Sequence, residues 1–265
     1  LGRTALAATG RSKQLIAIFQ RGAVDGLNVI VPHGESDYYR ARPSIAIARP
    51  GSAEGALDLD GFFGFNPRLA SLKPFWDSGQ LAIVQAVGSP DPSRSHFDAQ
   101  DYMESGTPGR AAEDGWLNRA LPTAAGTSSV RAVAIGARMP RTLSGSAGAI
   151  AIGDLQQFQL RNQDARGILE TAYAVAGDPQ LTAQGNAAFE ALKVISSVNK
   201  QPYTPAGDAQ YAGEFGNALR QLARLIKADV GVEAAFADIG GWDHHINEAP
   251  QLTGLLQQFG TSLAA

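Results

Sequence analysis

The sequence contains no cysteine, which excludes both a disulfide framework and a metal site built on thiolates. It also lacks any run that approaches the roughly 18 apolar residues of a membrane-spanning helix. An excess of one charge is missing too, because 22 Lys and Arg against 25 Asp and Glu leave a net charge of -3. That balance excludes the strongly basic surface typical of nucleic-acid binding. The remaining composition is that of a globular protein, and 265 residues suffice to bury a core.

The two ends of the chain suggest a fragment of a longer protein. Residues 1–10 are mostly small and apolar, and a polar stretch with Arg11 and Lys13 follows them. This pattern is typical of the tail of an export signal and equally of a frayed end, so we expect 1–13 to be a signal remnant or a disordered terminus. At the other end, apolar residues recur at helical spacing up to Ala265 without a stop signal. We therefore expect 14–265 to be one α/β domain that is incomplete at its C-terminus.

Short apolar runs alternate with helical patterns, which predicts a layered α/β domain. The predicted strands are 15–19, 28–31, 81–87, 130–135, 149–152 and 232–239. The predicted helices are 93–105, 115–124, 164–175, 181–198, 209–229 and a C-terminal helix around 252–263. Because the pattern is almost wholly helical between about 154 and 229, we expect a helical insertion there.

The first polar cluster follows the predicted strand 15–19 and contains Asp25, with Gly22 and Gly26 nearby. Ligands of α/β folds bind beyond the carboxyl ends of parallel strands, and glycines let backbone and ligand approach closely. An aspartate in such a turn can equally cap the next segment. Both interpretations of Asp25 stay open at this point.

The second cluster joins the predicted strand 81–87 to the predicted helix 93–105 and contains Ser93, Arg94, Ser95 and His96. A helix N-terminus attracts anions through its free N–H groups and its dipole. A serine hydroxyl there could act as a nucleophile, with the developing charge stabilised by the helix end, Arg94 or a metal. The alternative is that Ser93 only caps the helix.

The third cluster, GGWDHH at 240–245, follows the predicted strand 232–239 directly. Asp243 and His245 are two residues apart, so on an extended segment their side chains point to the same side. A carboxylate and an imidazole are a usual ligand set for zinc or another divalent ion. Histidine doublets also occur on ordinary protein surfaces, which is the competing interpretation.

Taken in order, these motifs resemble the bacterial domain-of-unknown-function family 1501, which is distantly similar to the alkaline phosphatase and sulfatase superfamily. The resemblance is carried by QRGAVDGLN at 20–28, SRSHFDAQD at 93–101, GWLNR at 115–119 and GGWDHH at 240–245. It spans about 15–265. It implies a twin-arginine export signal and an alkaline phosphatase-like three-layer α/β/α sandwich with a mostly parallel sheet. It also implies divalent metals and a seryl-type nucleophile acting on phosphate or sulfate esters.

Eight residues are candidates for the site once the resemblance is added. The metal ligands would be Asp25, Asp243 and His245, the candidate catalytic residues are Ser93, Ser95 and His96, and the candidate anion-binding residues are Arg21 and Arg94. The sequence departs from the family at Ala23, where a glycine is common, and at His244, where a threonine is common. Family motifs that lie beyond Ala265 are absent, so this chain would hold at most half of the metal site.

The expected function is an exported, metal-dependent hydrolase, located in the periplasm or secreted. Zinc, manganese or calcium would be its cofactor, and a small-molecule or polysaccharide ester of phosphate or sulfate its substrate. The alternative is a non-catalytic envelope or polysaccharide-binding protein on a phosphatase-like scaffold, because a fold does not guarantee its chemistry. Nucleic-acid binding and a transmembrane segment are not expected.

Overall fold

The structure, a computed structural model, describes residues 13–110, 112–121, 128–160 and 166–265. Over these ranges the protein is α/β, with helices, a mostly parallel four-stranded sheet and a small three-stranded antiparallel sheet. The chain separates into two compact units. Of the described residues, the first unit comprises 13–17, those within 104–203, and 221–237, and the second unit comprises 18–103, 204–220 and 238–265.

The secondary-structure elements have the following bounds. The strands are β1 (Leu15–Gln20), β2 (Ile30–Val31), β3 (Leu57–Asp58), β4 (Gly64–Phe65), β5 (Ala132–Ile135), β6 (Ile150–Ile152) and β7 (Ala234–Ile239). The helices are α1 (Gly26–Val29), α2 (Ser36–Ala41), α3 (Lys73–Asp77), α4 (His96–Ser105), α5 (Trp116–Ala120), α6 (Arg166–Ala174), α7 (Pro179–Lys200), α8 (Gly213–Lys227) and α9 (Glu248–Ala264). Two 3₁₀ helices lie at Pro67–Leu72 and Arg141–Leu143.

The larger sheet has the strand order β1-β7-β5-β6. In the first unit, β5 is parallel to both of its neighbours, with Val133 opposite Ile150 of β6 and Ala235 of β7. All four residues of β5 are buried. Burial on both faces explains why this strand is a continuous apolar run rather than an alternating pattern.

In the second unit, β1 and β7 end side by side. The Arg21 N–H donates to the Ile239 carbonyl at 2.9 Å, just past the end of β1. The carboxyl ends of two neighbouring strands therefore meet at one sheet edge, where α/β folds place their ligands. The loops that leave these two strands carry the first and the third polar clusters of the sequence.

The longest helix of the first unit, α7, starts where its sequence dictates. The Asp178 side chain accepts hydrogen bonds from the N–H groups of Gln180 (2.8 Å) and Leu181 (3.3 Å), and Pro179 occupies the first turn. An acidic N-cap followed by proline is a strong helix start. The helix buries Phe189 and Ile195.

The core of the second unit holds Trp242, which is fully buried in the loop after β7. Its ring meets Phe259 of α9 edge-on, with the centroids 6.0 Å apart, and its indole N–H donates to the Ile239 carbonyl at 2.9 Å. Helix α9 packs closely on the 3₁₀ helix Pro67–Leu72, since a Cβ added at Gly260 would lie 3.1 Å from Leu69. The loop that bears Asp243 is thus anchored on both sides by packed elements.

Most of the predicted elements are confirmed. The strands predicted at 15–19, 130–135, 149–152 and 232–239 are β1, β5, β6 and β7, and the mostly parallel α/β architecture is as expected. The helices predicted at 93–105, 181–198, 209–229 and 252–263 are α4, α7, α8 and α9. Helices α5 and α6 cover described parts of 115–124 and 164–175; residues 122–127 and 161–165 lie outside the described residues, as do 1–12 of the proposed signal remnant.

Two strand predictions are wrong, wholly or in part. Residues 81–87 form no strand: Val84 and Val87 are 77% and 70% exposed, and Ala86 has a φ of 56°, outside the β region. The run has strand composition but pairs with no strand edge. Residues 28–31 are divided, because the Asp25 side chain accepts from the Leu27 N–H at 3.2 Å and starts the short helix α1, which leaves only two residues to β2.

Among the described residues, no helix is both long and apolar enough to cross a membrane.

Candidate metal centre

Three side chains of the second unit converge beyond the carboxyl ends of β1 and β7. His96 Nε2 lies 3.2 Å from Asp243 Oδ1, and His245 Nε2 lies 2.9 Å from the same oxygen. One ligand atom from each residue lies within 4.8 Å of the other two. The side chains are partly open to solvent, with exposed fractions of 36% for His96, 41% for Asp243 and 77% for His245. Two imidazoles and a carboxylate are therefore gathered at an accessible point.

The prediction that Asp243 and His245 point to the same side is confirmed, since His245 Nε2 lies 2.9 Å from Asp243 Oδ1. The chain leaves β7 through Gly240 and Gly241, and Gly241 has a φ of 92° that favours glycine. The buried Trp242 then fixes the loop, so that the residue on its C-terminal side, Asp243, faces solvent.

Gly22 allows the loop after β1 to approach the loop after β7. It has a φ of 121°, and a Cβ placed there would lie 2.7 Å from the backbone nitrogen of Asp243. The Trp242 N–H also donates to the Arg21 carbonyl at 3.3 Å. Because the two backbones touch, Gly22 sets the position of Asp243, a role that the sequence did not reveal.

His96 is the first residue of α4, and Ser93 and Ser95 accept hydrogen bonds in the turn and the cap at the start of this helix. The Asp91 carboxylate accepts from the Ser93 N–H at 2.8 Å, and Ser93 Oγ accepts from the Ser95 N–H at 3.1 Å. Ser95 Oγ accepts from the Asp98 N–H at 3.3 Å. The hydroxyl that caps α4 is therefore that of Ser95, whereas Ser93, which the alternative interpretation named as the cap, accepts in a turn before the helix.

The hydroxyl of Ser93 has one further neighbour. Its Oγ lies 3.5 Å from a carboxylate oxygen of Asp98, at the limit of a hydrogen bond. Asp98 is the group placed to accept that proton, and sequence reasoning missed it.

The two candidate anion-binding arginines lie in different surroundings. The Arg21 Nε–H donates to the Asp238 carboxylate, and its Nη1 donates to the Gln100 side chain at 3.3 Å. Arg94 is exposed and makes no hydrogen bond or ion pair with any residue that the structure describes. Arg94 is therefore the freer cation for an incoming anion. The signal for Asp238 was available, since it is the one charged residue inside the apolar run of β7.

Asp25, the third predicted metal ligand, is not part of the cluster of His96, Asp243 and His245. Its carboxylate caps α1 and pairs with Arg42 through both oxygens, one contact being 3.0 Å from Arg42 Nη2 to Oδ1. Its metal-ligand role stays a prediction.

A second carboxyl group joins Asp25 in this network. Burial raises the pKa of Glu248, a hydrogen bond to Asp25 raises it further, and the Asn28 amide, which donates at 2.9 Å, lowers it. The side-chain oxygen of Asn28, Oδ1, in turn accepts from the Tyr38 hydroxyl at 2.6 Å. Glu248 thus places a second carboxyl group beside the Arg42 guanidinium, which the sequence did not indicate because Glu248 lies far along the chain.

His244 lies between the two cluster residues of the loop, and both of its ring nitrogens are buried with no hydrogen-bond partner among the described residues. Each unsatisfied polar group of this kind costs about 1–3 kcal/mol. Buried orphan groups of this kind are rare in native proteins and call for an explanation such as a ligand or a water.

Comparison of the chain with protein-family models, with curated proteins and with solved structures found no match.

Proposed function

We propose that the protein is an exported, metal-dependent hydrolase of phosphate or sulfate esters, related to the domain-of-unknown-function family 1501 and built on an alkaline phosphatase-like three-layer sandwich. The observation that carries this proposal is the convergence of His96, Asp243 and His245 at one accessible point. The motif order in the sequence and the mostly parallel sheet support it.

The donor set fits a divalent transition metal. Two ligands at about 2.1 Å from a tetrahedral ion lie roughly 3.4 Å apart. The Nε2-to-Oδ1 separations of 3.2 and 2.9 Å at Asp243 are close to that value, so small side-chain rotations suffice. Imidazole suits zinc, whereas manganese prefers oxygen ligands and calcium takes six to eight of them. Of the three expected metals, zinc therefore fits best.

When bound, a metal at this point supplies Lewis-acid polarisation of an ester oxygen. The chain's own residues would hold the substrate around it. The exposed Arg94 would bind the anionic group, because its charge has no partner among the described residues. Arg21, oriented by Asp238 and Gln100, would add a second donor. Ser93 is the better-placed nucleophile, since the Asp98 carboxylate lies 3.5 Å from its Oγ and can take the proton.

The proposal is tested by metal content and turnover measured together. The protein is purified without chelator, its zinc and manganese are quantified, and hydrolysis of an aryl phosphate and an aryl sulfate is assayed before and after chelation. We expect stoichiometric metal and chelator-sensitive turnover, both lost in Asp243→Asn. Asp77→Asn, which removes an exposed carboxylate of α3, is the matched control and should retain both. Turnover that is indifferent to chelator and to Asp243→Asn would refute the proposal.

A non-catalytic binding protein on the same scaffold is the second candidate, and one observation favours it. The hydroxyl oxygens of Ser93 and Ser95 already accept backbone hydrogen bonds at the start of α4, which is a structural role that requires no catalytic activity. Stoichiometric metal without turnover of either ester would support this candidate over the hydrolase.

Export is the remaining part of the proposal, supported by the mostly small and apolar residues 1–10. Cell fractionation tests it, and we expect the protein in the periplasmic or secreted fraction. Recovery from the cytoplasm alone would contradict export.

A further inference from the structure

The first unit contains a small pocket where the C-terminal ends of α7 and α8 meet. Its volume is about 90 Å³, and its polar lining includes Gln201, Tyr203, Arg224 and Lys227. No carboxylate lines it. A volume of this size corresponds to roughly three water molecules, which suits a small ion rather than an organic cofactor.

The side chains of this pocket hold unused donors. Arg224 Nη2 donates to the carbonyls of Val198 (2.9 Å) and Gln201 (3.0 Å), but its Nε–H is buried and has no hydrogen-bond partner among the described residues. The Tyr203 hydroxyl is likewise buried without a partner. Buried donors in native proteins are almost always paired, so two of them in one pocket lining point to a missing acceptor.

The charges at the pocket also lack compensation. The Lys227 ammonium lies 5.5 Å from the centre of the Tyr203 ring, and neither Lys227 nor Arg224 pairs with a carboxylate in the part of the chain that the structure describes. The C-termini of α7 and α8 each carry about −0.5 elementary charge, which disfavours an anion. Two full cations outweigh that, which leaves the pocket with about one net positive charge.

We infer that this pocket binds an oxyanion of the phosphate or sulfate type, held by the side chains of Tyr203, Arg224 and Lys227. The ligand must be small, acceptor-only and negatively charged, which are the properties of a tetrahedral oxyanion. Arg224 would keep its two carbonyl contacts and turn its Nε–H to the anion. The site belongs to the first unit and is independent of the metal centre proposed for the second unit.

The test uses the whole chain in the presence of a chelator, so that a metal-bound anion at the other site does not contribute. Inorganic phosphate and, separately, sulfate are titrated at constant ionic strength while the arginine Nε–H signals are followed by ¹H–¹⁵N NMR. We expect saturable movement of the Arg224 signal, which is assigned by its disappearance in Arg224→Lys. The two titrations show which oxyanion binds more tightly.

Two variants remove single donors from the pocket. Tyr203→Phe deletes the hydroxyl and keeps the ring, and Lys227→Gln deletes the charge. Each should weaken binding at least about tenfold, because a hydrogen bond to a charged group is worth about 1.5–3 kcal/mol. Lys193→Gln, on the exposed surface of α7, makes the same change in net charge and should titrate like the parent.

Circular dichroism without phosphate shows whether each variant is folded. The Tyr203→Phe and Lys227→Gln variants are analysed separately, so that if one of them does not fold, the other still tests the site. An Arg224 signal that does not respond to either anion overturns the inference. Equal weakening by Lys193→Gln also overturns it, because the effect would then be diffuse charge rather than a site.

Discussion

Replacing Gly22 by alanine perturbs the closest backbone approach at the candidate metal centre. Gly22 has a φ of 121°, and the new Cβ would lie 2.7 Å from the Asp243 nitrogen and 3.0 Å from the Trp242 carbonyl carbon. The backbone conformation alone costs a residue with a side chain about 1–3 kcal/mol. Relief of the close contact costs a further 1–3 kcal/mol or so. Together these terms destabilise the protein by about 2–6 kcal/mol.

The assay combines thermal unfolding with zinc binding. Since each kcal/mol lowers the Tm by roughly 2–4 °C in a protein of this size, Gly22→Ala should lower it by about 4 °C at the least. Zinc affinity should fall as well, because backbone displacement at Asp243 moves its carboxylate away from His96 and His245. Zinc affinity is measured by competition with a chromophoric chelator.

Gly26→Ala is the matched control for Gly22→Ala. A Cβ at Gly26 meets nothing within 4 Å, and this position has no unusual φ. Its stability should stay within about 1 kcal/mol of the parent, with any gain coming from reduced freedom of the unfolded chain. If Gly22→Ala unfolds at the parental temperature and binds zinc with the parental affinity, the contact between the two loops does not hold Asp243.

Three further predictions concern single side chains. Because its pKa is raised in the folded protein, Glu248 contributes stability that is present below its unfolded pKa and is lost as pH rises through the folded pKa. In urea unfolding, the free energy of unfolding should therefore fall less with rising pH in Glu248→Gln than in the parent. The control variant Glu190→Gln should behave like the parent. Replacing His244 by leucine removes two unpaired buried nitrogens and should raise the free energy of unfolding by about 1 kcal/mol, measured by urea titration; a decrease would mean that the ring is paired in solution. His96→Ala should weaken zinc binding by about 100-fold or more, whereas Phe97→Ala, at an 85% exposed neighbour, should not change it.

The fold was predictable where one segment carries all the information. The residues of β5 are apolar on both faces because both are buried, and helix α7 begins at an aspartate and a proline that dictate its start. Residues 81–87 have equal strand character, yet a strand exists only where a partner edge is available. The Leu81 N–H instead donates to the Phe75 carbonyl at 3.1 Å, which ties the segment's start to the end of α3. Composition does not encode that choice.

The same distinction applies to the metal centre. Asp243 and His245 are two residues apart, so the geometry of one extended segment was enough to predict that they face the same side. His96 comes from a different loop, and the sequence predicted it only as a candidate catalytic residue beside Ser93 and Ser95, not as a neighbour of Asp243. The position of Asp243 in turn depends on Gly22, whose missing side chain lets the loop after β1 touch the loop after β7. A long-range contact made possible by the absence of a side chain leaves little trace in a single sequence.

Asp25 shows how a charge elsewhere in the chain can change the role of a residue that a motif places in the site. To bind a metal, its carboxylate would have to release Arg42, which contacts both of its oxygens, and the N–H that it caps. Glu248 beside it adds a second carboxyl group, whose pKa is raised by burial and by its hydrogen bond to Asp25. The centre at Asp243 has a different composition, one carboxylate and two imidazoles, and all three are ligands that a divalent metal accepts. Because metal binding at Asp25 requires the release of a bidentate guanidinium and metal binding at Asp243 does not, the first ion is expected at Asp243.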